Sequence, residues 1–282
     1  MDRLCGERKE KCVMKFSVLM SVYYKENPNY LRDAIESVLN QTVKADEIVV
    51  IKDGKLTVEL DMILKEYNDK YEGLFKIIEF KSNRGLGVAL REGVLRCSNE
   101  IIARMDTDDI ARKDRFEKQL EILKDKNIDI VGSNISEFDG EISNIISNRT
   151  VPEKSKDIEL FSKKRNPFNH MTVMYKKDAV LKAGNYEEFL WFEDYNLWVR
   201  MFISGAKGYN IQENLVNART GKDMFARRGG FKYIKQEINM QKFMLDKKYI
   251  SYKEYVINLF ERMMVRVMPN KLRGIIYLKL LR

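Results

Sequence analysis

Short apolar runs alternate with stretches of helical period along the first hundred residues of this chain. Phe16-Ser17-Val18-Leu19-Met20-Ser21-Val22 is apolar or small throughout and flanked by polar residues. A run of that length predicts a buried strand. A polar loop over 23–29 follows, with Pro28, and then Leu31, Ala34, Ile35, Val38 and Leu39 recur at helical spacing. The cycle repeats. Strands are predicted at 47–52, 75–80 and 101–105. Between them, a helix carries Leu60, Ile63, Leu64 and Tyr67, and another spans 88–96. Strands that are nearly all apolar, interleaved with helices, predict an α/β sheet that is mostly parallel and covered on both faces.

Beyond residue 110 the pattern is less regular. It predicts a helix over 112–124, a strand over 128–131, a hairpin over 138–147 and a helix over 158–163. A strand over 171–175 and a short helix over 178–183, stopped by Gly184, come next. Leu197, Trp198 and Met201 give the inner face of a helix in 191–201. Residues 205–216 read as a last strand with turns, 218–230 as a loop, and 231 onward as helical. The organisation expected is an unstructured leader over 1–14, with Met14 as an alternative start. One α/β domain over 15–230 and a helical extension over 231–282 complete it.

Composition narrows the picture. Hydrophobic residues make up 44% of the 282 and charged ones 33%, enough for a real core within a soluble chain. The net charge of +9 fits an anionic partner: a nucleotide, a nucleic acid or an anionic membrane surface. Cys5, Cys12 and Cys97 are odd in number and widely spaced, which argues for a reducing compartment and against disulfides or zinc. The first fifteen residues are too polar for a signal peptide, and no run reaches the roughly 18 apolar residues of a membrane span.

Chemistry gathers at the strand ends, where parallel sheets bind ligands. Tyr23, Asp53, Asn83-Arg84 and Asp106-Thr107-Asp108-Asp109 follow four successive strands. Three carboxylates within four positions resist desolvation unless something neutralises them. A hard Mg²⁺ or Mn²⁺ shared with substrate phosphates would do so. The other reading is a solvated acidic turn capping the next helix. Gly85-x-Gly87 lacks the third glycine of a dinucleotide fingerprint.

Glu193-Asp194, among aromatics at a helix start, reads either as a favourable first turn or as a general base. The loop with Arg219, Lys222, Arg227 and Arg228 reads as a phosphate-binding lid or a solvated linker. Tyr255, Val256, Leu259, Phe260, Met263, Met264 and Val267 form one apolar stripe. From Lys253 to Arg282 seven Lys/Arg stand against two Glu. Such a basic amphipathic end can lie on an anionic membrane or pack back on the domain.

Taken together, five segments make the chain resemble glycosyltransferase family 2, the inverting enzymes of GT-A fold. They are Phe16 to Tyr23, Glu47 to Gly54, Asn83 to Gly87, Asp106 to Asp109, and Glu193-Asp194-Tyr195, in the family's order. The resemblance covers about 15–230 and is narrowest to bacterial enzymes building capsular polysaccharide, exopolysaccharide or O-antigen. It implies a GT-A type, Rossmann-like sheet and transfer of one sugar from a nucleotide-sugar donor, UDP-linked, to a glycan or lipid-linked oligosaccharide. It also implies roles. Asp53 would meet the nucleobase, and Ser21, Tyr23, Asn83, Arg84 and Gly85 would hold base and ribose. Asp106 would face the ribose, and Asp108 or Asp109 would hold Mn²⁺ or Mg²⁺. Asp194 would be the general base, with Glu193 and His170 lining the acceptor pocket, His170 being equally open to a structural role.

The chain departs from the family where Lys52 replaces one of two acids, and it lacks the Gln-x-x-Arg-Trp element of processive synthases. A single-sugar transferase at the cytoplasmic face of the cell membrane is therefore expected. The alternatives are a sugar-phosphate nucleotidyltransferase, which would need a Gly-rich basic loop after the first strand, and a non-enzymatic basic protein. Nucleic acid is not expected as a partner, since the acidic cluster would repel its phosphates.

Overall fold

A computed structural model describes residues 14–220 and 231–267. The first half follows the predicted alternation: β1 (Phe16–Val22), α1 (Pro28–Leu39), β2 (Glu47–Lys52), α2 (Val58–Lys70), β3 (Phe75–Glu79), α3 (Leu86–Arg96) and β4 (Ile101–Arg104). These four strands are parallel, in the order β3-β2-β1-β4. The chain builds outward from β1 to both sides, so the strand order reverses between β1 and β4. Such a switch point opens a crevice at the carboxyl ends.

Both faces of this half are covered, which is why its strands read as continuous apolar runs. Val18, Met20, Val22, Ile48 and Val50 pack on Leu31 and Ile35 of α1 and Leu60 and Leu64 of α2. Leu19, Val49 and Ile51 point the other way, onto Leu90 and Val94 of α3. Asn27 caps α1 by accepting the Asn29 N–H at 2.9 Å, with Pro28 in the first turn.

The second half is mixed. It comprises β5 (Ile110–Ala111), α4 (Arg115–Leu123), β6 (Ile130–Phe138), β7 (Ile145–Arg149), α5 (Ser155–Ser162), β8 (Met174–Lys176), α6 (Lys177–Lys182), α7 (Glu193–Ile203) and β9 (Gly208–Arg219). β8 joins it to β4 as an antiparallel neighbour, and the sheet continues β8-β6-β9-β5. β6 runs on to Phe138, past the Val131 predicted, and every one of its nine residues is buried. Its far half is polar, but the polar groups are partnered: Asn134 accepts the Val151 N–H at 2.9 Å and Ser136 donates to Asn148 at 3.1 Å. The predicted hairpin is the β6–β7 pair. The strand predicted at 171–175 begins instead as a 3₁₀ turn at His170–Thr172. β9 ends at Arg219, so Ala218 and Arg219 belong to the sheet and not to a loop.

Two further helices, α8 (Phe231–Asp246) and α9 (Tyr252–Val267), follow. Met240, Met244 and Ile250 close over Phe192, Tyr195 and Val199 of the α7 region. Among the described residues no helix is long and apolar enough to cross a membrane. Cys97 is buried and free. Of the predicted leader over 1–14 only Met14 is described, and it packs against the core; residues 1–13, the Gly- and Arg-rich stretch over 221–230 and the segment past Val267 lie outside the described residues, as do Cys5 and Cys12.

Candidate active site

The carboxyl ends of the parallel strands are tied to one another by two acids, Asp53 and Glu26, and their loops. Asp53 follows β2 directly and is buried. Its Oδ1 accepts the Arg84 N–H at 2.7 Å and its Oδ2 the Gly85 N–H at 2.9 Å. Its own carbonyl accepts from Asn83 at 3.2 Å. Asp53 therefore clasps the loop between β3 and α3, and only the second lone pair of each oxygen is left for a ligand. Gly54 permits the approach: a β-carbon there would lie 2.6 Å from the Asn83 nitrogen, and its φ of +89° disfavours other residues. Lys52, where the family resemblance expects an acid, instead spends its charge on Asp61 and Glu79, each at 2.7 Å.

The acidic cluster leaves the sheet between β4 and β5. Met105 still donates to the Leu19 carbonyl at 3.1 Å, so Asp106 emerges beside the end of β1. Thr107 reinforces that seam through Glu26 and the Ser21 carbonyl. One oxygen from each of Asp106, Asp108 and Asp109 lies within 4.8 Å of the others. Beneath them sits Arg104, 1% exposed, which is ion-paired with Asp106 and also donates to the Met105 carbonyl. Desolvation and the charges of Asp106 and Glu26 push Asp108 up to about 7. Desolvation, Asp108 and Asp106 hold Asp109 well above the usual carboxylate range. Asp109 accepts the Arg219 N–H at 2.8 Å through Oδ1, while its buried Oδ2 has no partner among the described residues. Oxygen-only donors, crowded negative charge and an orphaned buried carboxylate oxygen fit a hard divalent cation. Asp106 is engaged by Arg104, which leaves Asp108 and Asp109 as the freer pair.

The α7 acids lie near the same strand ends. A β-carbon at Gly87, in the first turn of α3, would meet the Glu187 carbonyl at 2.8 Å and the Glu193 Cβ at 3.3 Å. The starts of α3 and α7 therefore touch. Asp194 accepts from Asn166 Nδ2 at 2.5 Å and from the Tyr195 N–H at 2.7 Å. Burial and the Asp194 charge push Glu193 up to about 7, and it also feels Arg104 and Asp106. Asn166 thus orients Asp194, and Asp194 in turn keeps Glu193 protonated further up the pH scale.

His170 is half-buried, with Nε2 3.0 Å from the Tyr186 hydroxyl and its ring edge-on to Trp198. Desolvation and Arg104 lower it to about 4, against the pull of Asp194 and Asp106. A neutral imidazole, already bonded to Tyr186, is what it brings to the crevice. Tyr23 and Arg84 are both exposed. Tyr23 stands edge-on to Tyr24, and the Arg84 guanidinium lies over the Phe80 ring.

Two contributors were not singled out from the sequence, and a third is placed differently by the structure. Arg104 carried a signal, a lone charge in an apolar strand. Glu26 carried none, because its position opposite Thr107 depends on the loop path. Arg219 falls in the stretch read as a basic loop, either a phosphate-binding lid or a solvated linker. It is instead fixed between the rings of Tyr30 and Phe138, donates to the Asp108 carbonyl at 3.2 Å and pairs with Asp33 at 3.3 Å.

The profile described as "Glycosyl transferase family 2" matches residues 17–182. The chain is 38% identical to UDP-Gal:alpha-D-GlcNAc-diphosphoundecaprenol beta-1,3-galactosyltransferase of Escherichia coli, over 95% of this chain and 97% of that one. It is 37% identical to the amylovoran biosynthesis glycosyltransferase AmsE of Erwinia amylovora, over 94% and 98% of the two chains. The crystal structure of S. aureus TarS 1–349 in complex with UDP-GlcNAc shares the fold. Its TM-score is 0.66 at 16% identity, with 89% of this chain and 72% of that one covered.

Proposed function

Because the chain belongs to glycosyl transferase family 2, we propose that it transfers one sugar, with inversion, from a UDP-sugar to a hydroxyl of a lipid-linked oligosaccharide in bacterial surface polysaccharide synthesis. The observation that carries this reading is the meeting of two acid groups in one crevice. Asp106, Asp108 and Asp109 stand on the donor side and Glu193 and Asp194 on the other, close enough that Asp106 acts on Glu193 and on His170.

On the donor side, the loop clasped by Asp53 and the end of β1 at Ser21 and Tyr23 hold base and ribose. Asp106, oriented by Arg104, faces the ribose. Asp108 and Asp109 would hold Mn²⁺ or Mg²⁺, which would neutralise the departing diphosphate. On the acceptor side, Asp194 takes the proton of the incoming hydroxyl. The hydroxyl oxygen bonds to the anomeric carbon, the bond from that carbon to the diphosphate oxygen breaks, and UDP leaves with the electron pair. Attack from the opposite face inverts the centre. Asn166 fixes the Asp194 carboxylate, and His170 offers a neutral hydrogen-bonding group to the acceptor. The E. coli relative's named substrates, UDP-Gal and GlcNAc-diphosphoundecaprenol, support a UDP-hexose donor and a diphospholipid acceptor. A lipid acceptor calls for work at the cytoplasmic membrane surface, and the exposed apolar face of α9 supports peripheral binding there.

Asp194→Asn tests the reading. The variant is expected to bind UDP-sugar as the wild type does and to lose transfer by about a hundredfold or more. Full turnover with Asn at this position would remove Asp194 as the base.

A further inference from the structure

We propose that Trp191, stacked on Tyr233, is the platform on which the acceptor's terminal pyranose ring lies. The inference rests on the reading of Asp194 as the base, and adds to it where and by what the acceptor is held.

Trp191 has a backbone φ of +66°. Among the non-glycine residues with positive φ, Asn185 is of a type that tolerates this region, and it is secured by bonds to the Tyr186 N–H and the Arg91 carbonyl. A tryptophan there is strained and persists only where its surroundings over-determine it; such residues concentrate at functional sites. The surroundings are visible. Tyr233 of α8 stacks on the Trp191 ring with centroids 5.4 Å apart and planes within 21°. Tyr233 is itself lodged against Phe192, also at 5.4 Å, and Phe192 is buried in the cluster that docks α8 on α7. The strained turn thus presents one ring supported from behind by another.

The residue nonetheless stays 43% exposed. The other tryptophan of the chain, Trp198, is fully buried. Hiding Trp191 in the same core would gain more from burial alone, so its exposure is a cost that a ligand would recover. Position says which ligand. Trp191 precedes Asp194 by three residues, so their Cα atoms are at most about 11 Å apart. A hexose lying on the exposed face of Trp191 is therefore within reach of Asp194, and can bring to it the hydroxyl that Asp194 deprotonates. That is the acceptor's own sugar. The axial C–H groups of a pyranose carry partial positive charge and suit the negative face of an indole.

The probe is GlcNAc-diphosphate bearing a short alkyl chain, assayed with UDP-Gal, UDP-Glc or UDP-GlcNAc as donor. Wild-type transfer to it with any of the three tests the functional reading; no transfer overturns that reading and this inference together. Given transfer, Trp191→Ala is expected to raise the acceptor KM about five- to tenfold, with donor KM and donor hydrolysis by water unchanged. Trp191→Gly removes strain and ring at once. It is expected to match the alanine variant in acceptor KM while melting no lower, which separates binding from folding. In the wild type the probe is expected to shield tryptophan fluorescence from iodide, since only Trp191 is open to the quencher. An acceptor KM within about twofold of wild type in both variants would overturn the platform. So would reduced liposome binding with acceptor KM unchanged, which would assign the ring to the lipid surface instead.

Discussion

Arg104, enclosed in β4, is ion-paired with Asp106 only two residues further on, so the acidic cluster is built over an internal cation. Without it three neighbouring carboxylates would face one another in a poorly solvated crevice, and Asp108 and Asp109 already sit above the usual range. Removing one member of a buried pair leaves the other charge uncompensated. Arg104→Met is expected to lower stability by about 3 kcal/mol in EDTA, read by urea denaturation. Manganese is expected to stabilise both proteins by mass action. A variant as stable as wild type in EDTA would show that Arg104 is not the counter-ion.

Asp53 supports a second prediction, because its two oxygens clasp the Arg84 and Gly85 amides. Asp53→Asn keeps one acceptor and turns an NH₂ group toward a backbone N–H. The expected loss is about 1–3 kcal/mol of stability, with weaker UDP binding by calorimetry as the loop loosens. Unchanged UDP affinity would detach this loop from the donor site.

How much of this was legible in the sequence follows from burial. β1, β2 and β4 announce themselves because both their faces are covered, so nearly every residue is apolar. The strand ends were equally plain, since Asp53 and Asp106 to Asp109 interrupt those runs abruptly. β6 was half missed because Ser133, Asn134, Ser136 and Glu137 are polar yet buried. Their burial depends on partners that are distant in sequence. β5 is only two residues long and exists through its pairing with β9. The apolar stripe of α9 was read as one face. Tyr255 packs inward on the α7–α8 cluster, whereas Val256, Phe260, Met263 and Met264 point outward. Helical period alone does not separate two apolar faces from one.

Glu193 gives a pH signature. Its folded value is raised from 4.5 to about 7, so the folded state favours the protonated form. Its stabilising effect is complete below about pH 4.5 and is lost as pH rises through about 7. His170 has the opposite sign: lowered from 6.5 to about 4, it stabilises above pH 6.5, and that contribution is lost as pH falls toward 4. In EDTA, Glu193→Gln is therefore expected to flatten the decline in melting temperature between about pH 5 and 8. The acid-side decline due to His170 should remain. A wild-type slope retained in the variant would assign the alkaline loss to Asp108 and Asp109 alone.

The outer face of α9 makes the last prediction. Tyr252, Val256, Ile257, Phe260, Met263 and Met264 are all exposed, with Phe260 at 67%. The opposite side is anchored: Asn258 donates to the Lys163 carbonyl at 2.8 Å, and Arg262 pairs with Glu237 at 2.6 Å. The helix is thus held on the domain while presenting apolar side chains outward. Lys253 lies on the same helix, and the chain carries a net +9, so an anionic bilayer would satisfy both the apolar face and the charge. Phe260→Glu, alone or with Met264→Glu, places charge in that face without touching Asn258 or Arg262. Co-sedimentation with phosphatidylglycerol vesicles is expected to fall by about tenfold, with transfer to a short-chain acceptor in solution unchanged. If vesicle binding persists at wild-type strength, α9 does not carry the membrane contact. If transfer in solution falls with it, the face serves the acceptor pocket and not the lipid surface.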